Sequence, residues 1–306
     1  MRARVANKFR EIVSGSPDGK PTWVNEIAIG DDVGLFGPAS AVWEVHSTVA
    51  TLVGGVRALL LQAAHPAALA GVAEHSRYES DPLGRLAGTS RWMTITTFGS
   101  TQAIAREADR VNAMHKKVVG EFEGKSGATQ AYAARDPRFL LWVHCAFTES
   151  FLFAHQAFGY RLLKESMQSS VATQAHEILA DRYIHEWSKS AIALGLTTAP
   201  QSSKELQMEM DRFVAEELRS SEQSRRVVKF ILRPPLGRPS LVFYKFLAKS
   251  AIATLSDDQR EVLELKQVSR LWIPATALIL GFLRWTLGDR SPSHETALER
   301  IDRLTK

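Results

Sequence analysis

DPRFLLWVHCAFTESFLFAHQAF, residues 136–158, is the stretch whose periodicity decides the fold. Leu140, His144, Phe147, Phe151 and Phe158 follow one another in steps of 4, 3, 4 and 7, which is the spacing of one helix face and not the alternation of a strand. Asp136 ahead of Pro137 supplies an N-cap followed by proline at the first helical position, where the missing N–H has no intrahelical partner to lose. The same period recurs on both sides of this stretch, and no two alternating runs are joined by an Asn-Gly or Asp-Gly turn. An all-α chain is expected, with helices over 3–14, 40–63, 67–76, 82–98, 100–120, 136–158, 170–194, 202–219, 240–254, 256–266 and 270–286. Ser256 with Gln259 reads as a capping box, and Asp81 before Pro82 as a second cap-and-proline start.

A chain of 306 residues can build one large core, and the breaks between these helices are too short to be linkers. The expected organisation is an N-terminal helical extension over 1–29, a helical domain over 30–290 and a polar C-terminal tail over 291–306 that frays. RPPLGRP at 233–239 is the one plausible joint. Cys145 is the single cysteine, so no intrachain disulfide and no thiolate metal cluster can form. The basic start MRARVANKFREIVSG lacks an apolar signal core, and a cytoplasmic location is expected. The apolar tracts at 52–73 and 273–283 fall short of about 18 uninterrupted apolar residues, so no transmembrane segment is expected. The net charge of +5 is dispersed among acids and gives no nucleic-acid stripe. The 273–283 helix could support a homodimer or a membrane-surface contact, with burial as the simpler account.

Among the nine histidines, helical position separates candidates from bystanders. His115 continues the series Ile104, Ala108, Val111, with Val118 beyond it, and so points with the apolar stripe. His144 sits on the aromatic face quoted above. Each is either a hydrogen-bonded core histidine or a ligand. His65 precedes Pro66, at an expected helix junction. Arg85 and Thr89 are four apart and share a helix face, with Gly88 between them. A glycine inside a helix costs about 1 kcal/mol and is kept where something large approaches the backbone, either a bound group or a crossing helix. HExxH, GxSxG, Walker A and GxGxxG runs are absent, so zincin, serine-hydrolase, P-loop and dinucleotide readings have no support.

An ordered set of segments carries a family resemblance: DDVGLFGPASAVWEVH at 31–46, GGVRALLLQAAHP at 54–66, DPLGRLAGT at 81–89, RVNAMH at 110–115, YAARDPRFLLWVH at 132–144 and RYIHEW at 182–187. Together they resemble the oxygenase family that joins latex-clearing protein (rubber oxygenase) and the fungal mycophenolic-acid-pathway oxygenase. The resemblance implies a globin-like helical core, haem b as cofactor, dioxygen as oxidant and an apolar or isoprenoid-like substrate. It places the proximal iron ligand on His115, and the family's arginine and threonine on Arg85 and Thr89.

Some rubber oxygenases carry a lysine immediately before that threonine, where this chain has Gly88, so no lysine cap of the iron is expected. The glutamate proposed for polymer cleavage has no clear counterpart, since the comparable position is Leu69, which argues against rubber itself as substrate. His65 is a further catalytic candidate and His144 a further cofactor-side residue. Arg57 and Arg91 are candidate propionate partners, although Arg57 could equally meet a carboxylate such as Glu44. Trp92, Phe98, Trp142, Phe147 and Phe151 are candidate porphyrin walls. The alternatives from other classes are a non-catalytic haem-binding or gas-sensing protein, and a helical binding protein with an empty pocket.

Overall fold

The computed structural model describes residues 19–76, 82–159 and 170–305, with the side chains of 82–87, 170–173, 175 and 239 outside that description. The helix expected over 3–14 and the Asp81 cap lie outside the described residues. Within them the chain forms fourteen helices and one two-stranded sheet, the all-α architecture that the periodicity called for.

Two helices make the centre. α3 (Thr51–Ala64) and α7 (Pro137–Phe158) run antiparallel: Gly54 meets Phe151 and Ala154 at one end, and His65, just beyond α3, meets Phe139 and Trp142 at the other. A Cβ at Gly54 would lie 2.8 Å from the Phe151 ring and 3.2 Å from the Ser150 carbonyl oxygen, so glycine is what lets the two axes approach this closely. Around this pair stand α2 (Ala41–His46), α4 (Pro66–His75), α5 (Pro82–Phe98), α6 (Thr101–His115) and α8 (Ser170–Ala193). α9 (Ser203–Glu216), α10 (Glu222–Leu232), α11 (Arg238–Ala253), α12 (Asp257–Val262), α13 (Trp272–Leu287) and α14 (Pro292–Leu304) complete the shell, and the four-residue α1 (Val24–Ile27) packs on α14.

Four local expectations are corrected. The helix expected over 40–63 is broken between α2 and α3, where the Thr48 and Thr51 hydroxyls donate to the Val45 and Thr48 carbonyls and so compete with the backbone ladder. The helix expected to run to 120 ends at His115, and a hairpin follows: β1 (Val119–Glu123) pairs antiparallel with β2 (Thr129–Ala133) across the five residues 124–128, with Gly127 at φ +82°. Phe122 and Tyr132 turn from this hairpin onto Ala67, Ala70 and Phe139. α10 was not expected, yet Ser224, Val227, Val228 and Ile231 form a buried stripe under a Ser221–Ser224 capping box. The tail expected to fray is α14: Ala297 and Arg300 are fully buried, and the Arg300 guanidinium donates to the carbonyls of Ile27 and Val33.

The α3–α4 junction turns on His65, which is extended (φ −95°, ψ 118°), as a residue before proline must be, and the two helix axes bend by 102° there. No single helix among the described residues is long and apolar enough to cross a membrane.

Candidate functional site

α5 and α6 form a tight helical hairpin joined by Gly99 and Ser100, the latter capping α6 through the Ala103 amide. Glu107, fully buried at the middle of α6, accepts from Arg91 Nε on α5 at 2.8 Å and from Arg110 at 2.6 and 2.9 Å. With 91 opposite 107 in an antiparallel pair, 89 falls opposite 109 and 83 opposite 115. His115, the last residue of α6, therefore stands at the level where α5 begins, about 9 Å along the axis from the level of Thr89. Arg85 and the half-buried His115 thus lie toward the open end of the hairpin, while the backbone of Gly88 and Thr89 lies near its middle, opposite Arg110 and Asp109. A Cβ added at Gly88 would meet nothing within 4 Å among the described residues, so no described helix crosses there.

The other expected site residues are placed elsewhere. His65 Nδ1 accepts from the Ala67 amide at 3.2 Å as the N-cap of α4, which fixes the proton on Nε2, and Nε2 then donates to Glu217 at 2.9 Å. Both nitrogens are committed to the fold. Arg57 is fully buried between α3 and α7, donating to Glu149 at 2.9 Å, to Ser150 at 3.1 Å and to Gln259 at 3.0 Å. The carboxylate it meets is Glu149 and not Glu44. Arg91 is held by Glu26 at 2.6 Å and by Glu107, so both candidate propionate partners already face carboxylates. The aromatic residues are spread through the core and do not ring one space. Trp142 lies against His65 and Phe213, Phe98 against Trp43 and His294, and Phe147 and Phe151 against each other, with His46 beside Phe151. Among the described residues no three His, Cys, Asp or Glu side chains are grouped as ligands for a bare metal ion.

His144 is buried on α7. The Thr148 hydroxyl donates to its carbonyl at 2.7 Å and lies 3.5 Å from its ring Nε2, a poor hydrogen bond. His155, three turns further along the same face, was passed over in the sequence, although 144, 148, 151 and 155 are spaced 4, 3 and 4. It is 3% exposed, and among the described residues neither ring nitrogen has a hydrogen-bond partner. Leaving such a group unsatisfied costs roughly 1–3 kcal/mol, so these nitrogens are the ones most open to a bound molecule. His46 is the contrast: its ring nitrogens are bonded to Thr97 at 2.8 Å and Tyr183 at 2.9 Å.

Burial keeps these imidazoles neutral. It pushes His46 down to about 3, with His155 contributing, His144 down to about 4, and His155 down to about 4, with His176 contributing. On unfolding they protonate near the ordinary value of about 6.5. The stability tied to their neutral form is therefore complete above about pH 6.5 and is lost as pH falls toward 4. Glu217 adds a lower window. Burial raises its pKa, but hydrogen bonds from His65 and Arg138 more than offset that and hold it at about 2, so its contribution disappears below about pH 4.5. The urea midpoint is expected to fall steadily from pH 7 to pH 4, and His46→Gln should flatten the slope. A midpoint independent of pH over that interval would contradict neutral burial of the three.

Residues 43–288 match the family model described as "ER-bound oxygenase mpaB/B'/Rubber oxygenase, catalytic domain". No curated protein and no solved structure matches the chain. The match spans the α3–α7 centre and the whole α5–α6 hairpin, which carries His115, Gly88 and Thr89, and the chain belongs to this oxygenase family.

Proposed function

We propose that the protein is a haem-b-dependent oxygenase that uses dioxygen on an apolar or isoprenoid-like substrate, with His115 as the iron ligand. The observation that carries this reading is the coincidence of two independent features. A family of oxygenases is matched across the hairpin, and a histidine ends α6 at the hairpin's open end, about 8 Å along the axis from the level of a glycine whose missing Cβ leaves open space among the described residues. One imidazole at the end of a regular helix fits a porphyrin better than a multi-ligand metal site. A bound haem would supply the redox-active iron that takes dioxygen to an organic substrate.

What the chain itself contributes is positioning and charge. His115, at the end of α6, is anchored by a helix whose buried face is fixed through Glu107 and Arg91. Arg85 and Thr89 are assigned to the dioxygen side, where a permanent cation and a hydroxyl can donate hydrogen bonds to an oxygen that gathers negative charge. His144 remains a pocket-side residue, and His155 joins it through its unclaimed nitrogens. Arg57, Arg91 and His65 do not enter the proposal, because each is consumed by partners in the fold.

Dioxygen uptake by the haem-loaded protein, with a chemical reductant and a panel of terpenoids, tests the catalytic half. At least one apolar substrate is expected to raise uptake about tenfold over reductant alone, and Thr89→Val to lower it. A protein that holds haem but consumes no more dioxygen with any of them would be a haem-binding or gas-sensing protein.

A further inference from the structure

α13 has no polar side to show to water. Its exposed positions are Leu271 at the N-cap, then Pro274, Leu278, Gly281, Phe282 and Trp285, which at 100° per residue fall within an arc of about 100°. Leu278 is 77% exposed, Phe282 62% and Trp285 59%, and the last two rings lie 5.7 Å apart as one aromatic patch. The opposite arc, with Thr276, Leu280 and Leu283, is buried against the body of the protein. A helix whose exposed arc is wholly apolar is not one that evolved to face water there.

The charge around it is weighted toward cations. α13 packs on α11, where the Ser250 hydroxyl reaches the Trp272 carbonyl at 3.0 Å and Thr276 at 2.8 Å. Residues 233–289, which contain these two helices and α12 between them, carry eight Lys and Arg against five acids. The rest of the chain carries 30 cations against 28 acids, so more than half of the net charge of +5 resides here. Arg284 is taken by Asp289 at 2.6 Å, but Arg238, Lys245, Lys266 and Arg270 are exposed, as is Val242 on α11. At 16 residues α13 is about 24 Å long, short of the roughly 30 Å hydrocarbon core, so it can lie on a bilayer but not cross one.

We propose that the α11–α13 face is a docking surface for an anionic phospholipid bilayer, with Leu278, Phe282 and Trp285 entering the interface and Arg238, Lys245, Lys266 and Arg270 meeting the headgroups. Exposed aromatic and aliphatic side chains on a stretch with a surplus of cations, among which Asp257 beside Arg270 and Asp289 on Arg284 are the neighbouring carboxylates, are a composition that an anionic lipid surface attracts. A second copy of the chain would bring Arg238, Lys245, Lys266 and Arg270 toward their own counterparts, which is why a lipid surface is the better occupant. The inference rests on this surface alone and does not depend on the haem reading.

The test is co-sedimentation of the full chain with vesicles of mixed phosphatidylglycerol and phosphatidylcholine, against vesicles of phosphatidylcholine alone. Binding to the anionic vesicles is expected to be at least about tenfold tighter, and to drop at least about tenfold in Leu278→Glu/Phe282→Glu and, in low salt, in Lys245→Glu/Arg270→Glu. All four positions are exposed or at the surface, and unchanged circular dichroism and melting would show the variants folded. Failure of the wild type to bind anionic vesicles, or equal binding by both folded variants, overturns the proposal. Light scattering provides the remaining arm: a dimer that Phe282→Glu converts to monomer, without vesicle binding by the wild type, would make this face a self-association surface instead.

Discussion

Arg57→Met is expected to lower the free energy of unfolding by about 3–5 kcal/mol, read from urea denaturation at neutral pH. Arg57 sits at the contact between the two central helices, and its guanidinium is the counter-charge of Glu149, itself 5% exposed. Gln259 closes the network by accepting from Arg57 at 3.0 Å and donating to both Glu149 oxygens at 3.0 and 3.1 Å, while its amide oxygen also caps the start of α12 through the Ser256 N–H. Methionine fills much of the same volume, so the loss is electrostatic: a carboxylate stranded in the interior without its cation. The decisive comparison is Arg57→Met/Glu149→Leu. Removing both charges should recover most of the loss, because the pair as a whole contributes little beyond the cost of burying it. A single variant destabilised by less than about 1 kcal/mol would mean that Glu149 finds water or another donor.

What the sequence revealed and what it hid divide along physical lines. The α7 face and the α6 stripe were readable because burial enforces a period, and Ile104, Ala108 and Val111 are indeed the buried side of α6. The break at residues 47–50 was not readable, since hydroxyl groups decide it and the apolar pattern runs on through it. The β1–β2 hairpin was missed because its five-residue loop carries no Asn-Gly or Asp-Gly signal and its strands offer just Phe122 and Tyr132 to the core. α14 reads as a polar tail until its docking site is known, because the residue that anchors it, Arg300, is charged and is satisfied by backbone carbonyls 267–273 positions away.

At the site, the apolar stripe leading to His115 was legible, but the end of the helix at that residue was not. The engagement of Arg57, Arg91 and His65 was not legible either, because a partner such as Glu149 or Glu217 lies 92 or 152 residues away and leaves no local trace. His155 was hidden for the opposite reason. It lies on a face already accounted for by aromatic residues, and what sets it apart is that its nitrogens have no partner among the described residues.

His115→Ala is expected to abolish stoichiometric haem binding while leaving the fold intact. His115 ends α6, and the helix is fixed upstream by Ser100 at its start and by Glu107 at its middle, so truncating the last residue should not loosen the hairpin. An iron centre with a single protein ligand loses its anchor with that imidazole, and apolar contacts alone do not fix haem in one orientation. His115→Gln, which keeps a polar side chain of similar reach, should fail in the same way. His144→Ala should retain haem and change the pocket instead. A folded His115→Ala protein with unchanged affinity, together with loss of haem in His155→Ala, would transfer the iron to the buried histidine of α7.

The most direct measurement is the ultraviolet–visible spectrum of the purified protein after haemin addition, ferric and then dithionite-reduced, with iron counted per chain. A Soret band at one haem per chain, lost in His115→Ala, is the result this account predicts; a wild-type protein that takes up no haemin, or a His115→Ala spectrum identical to the wild type, would contradict it.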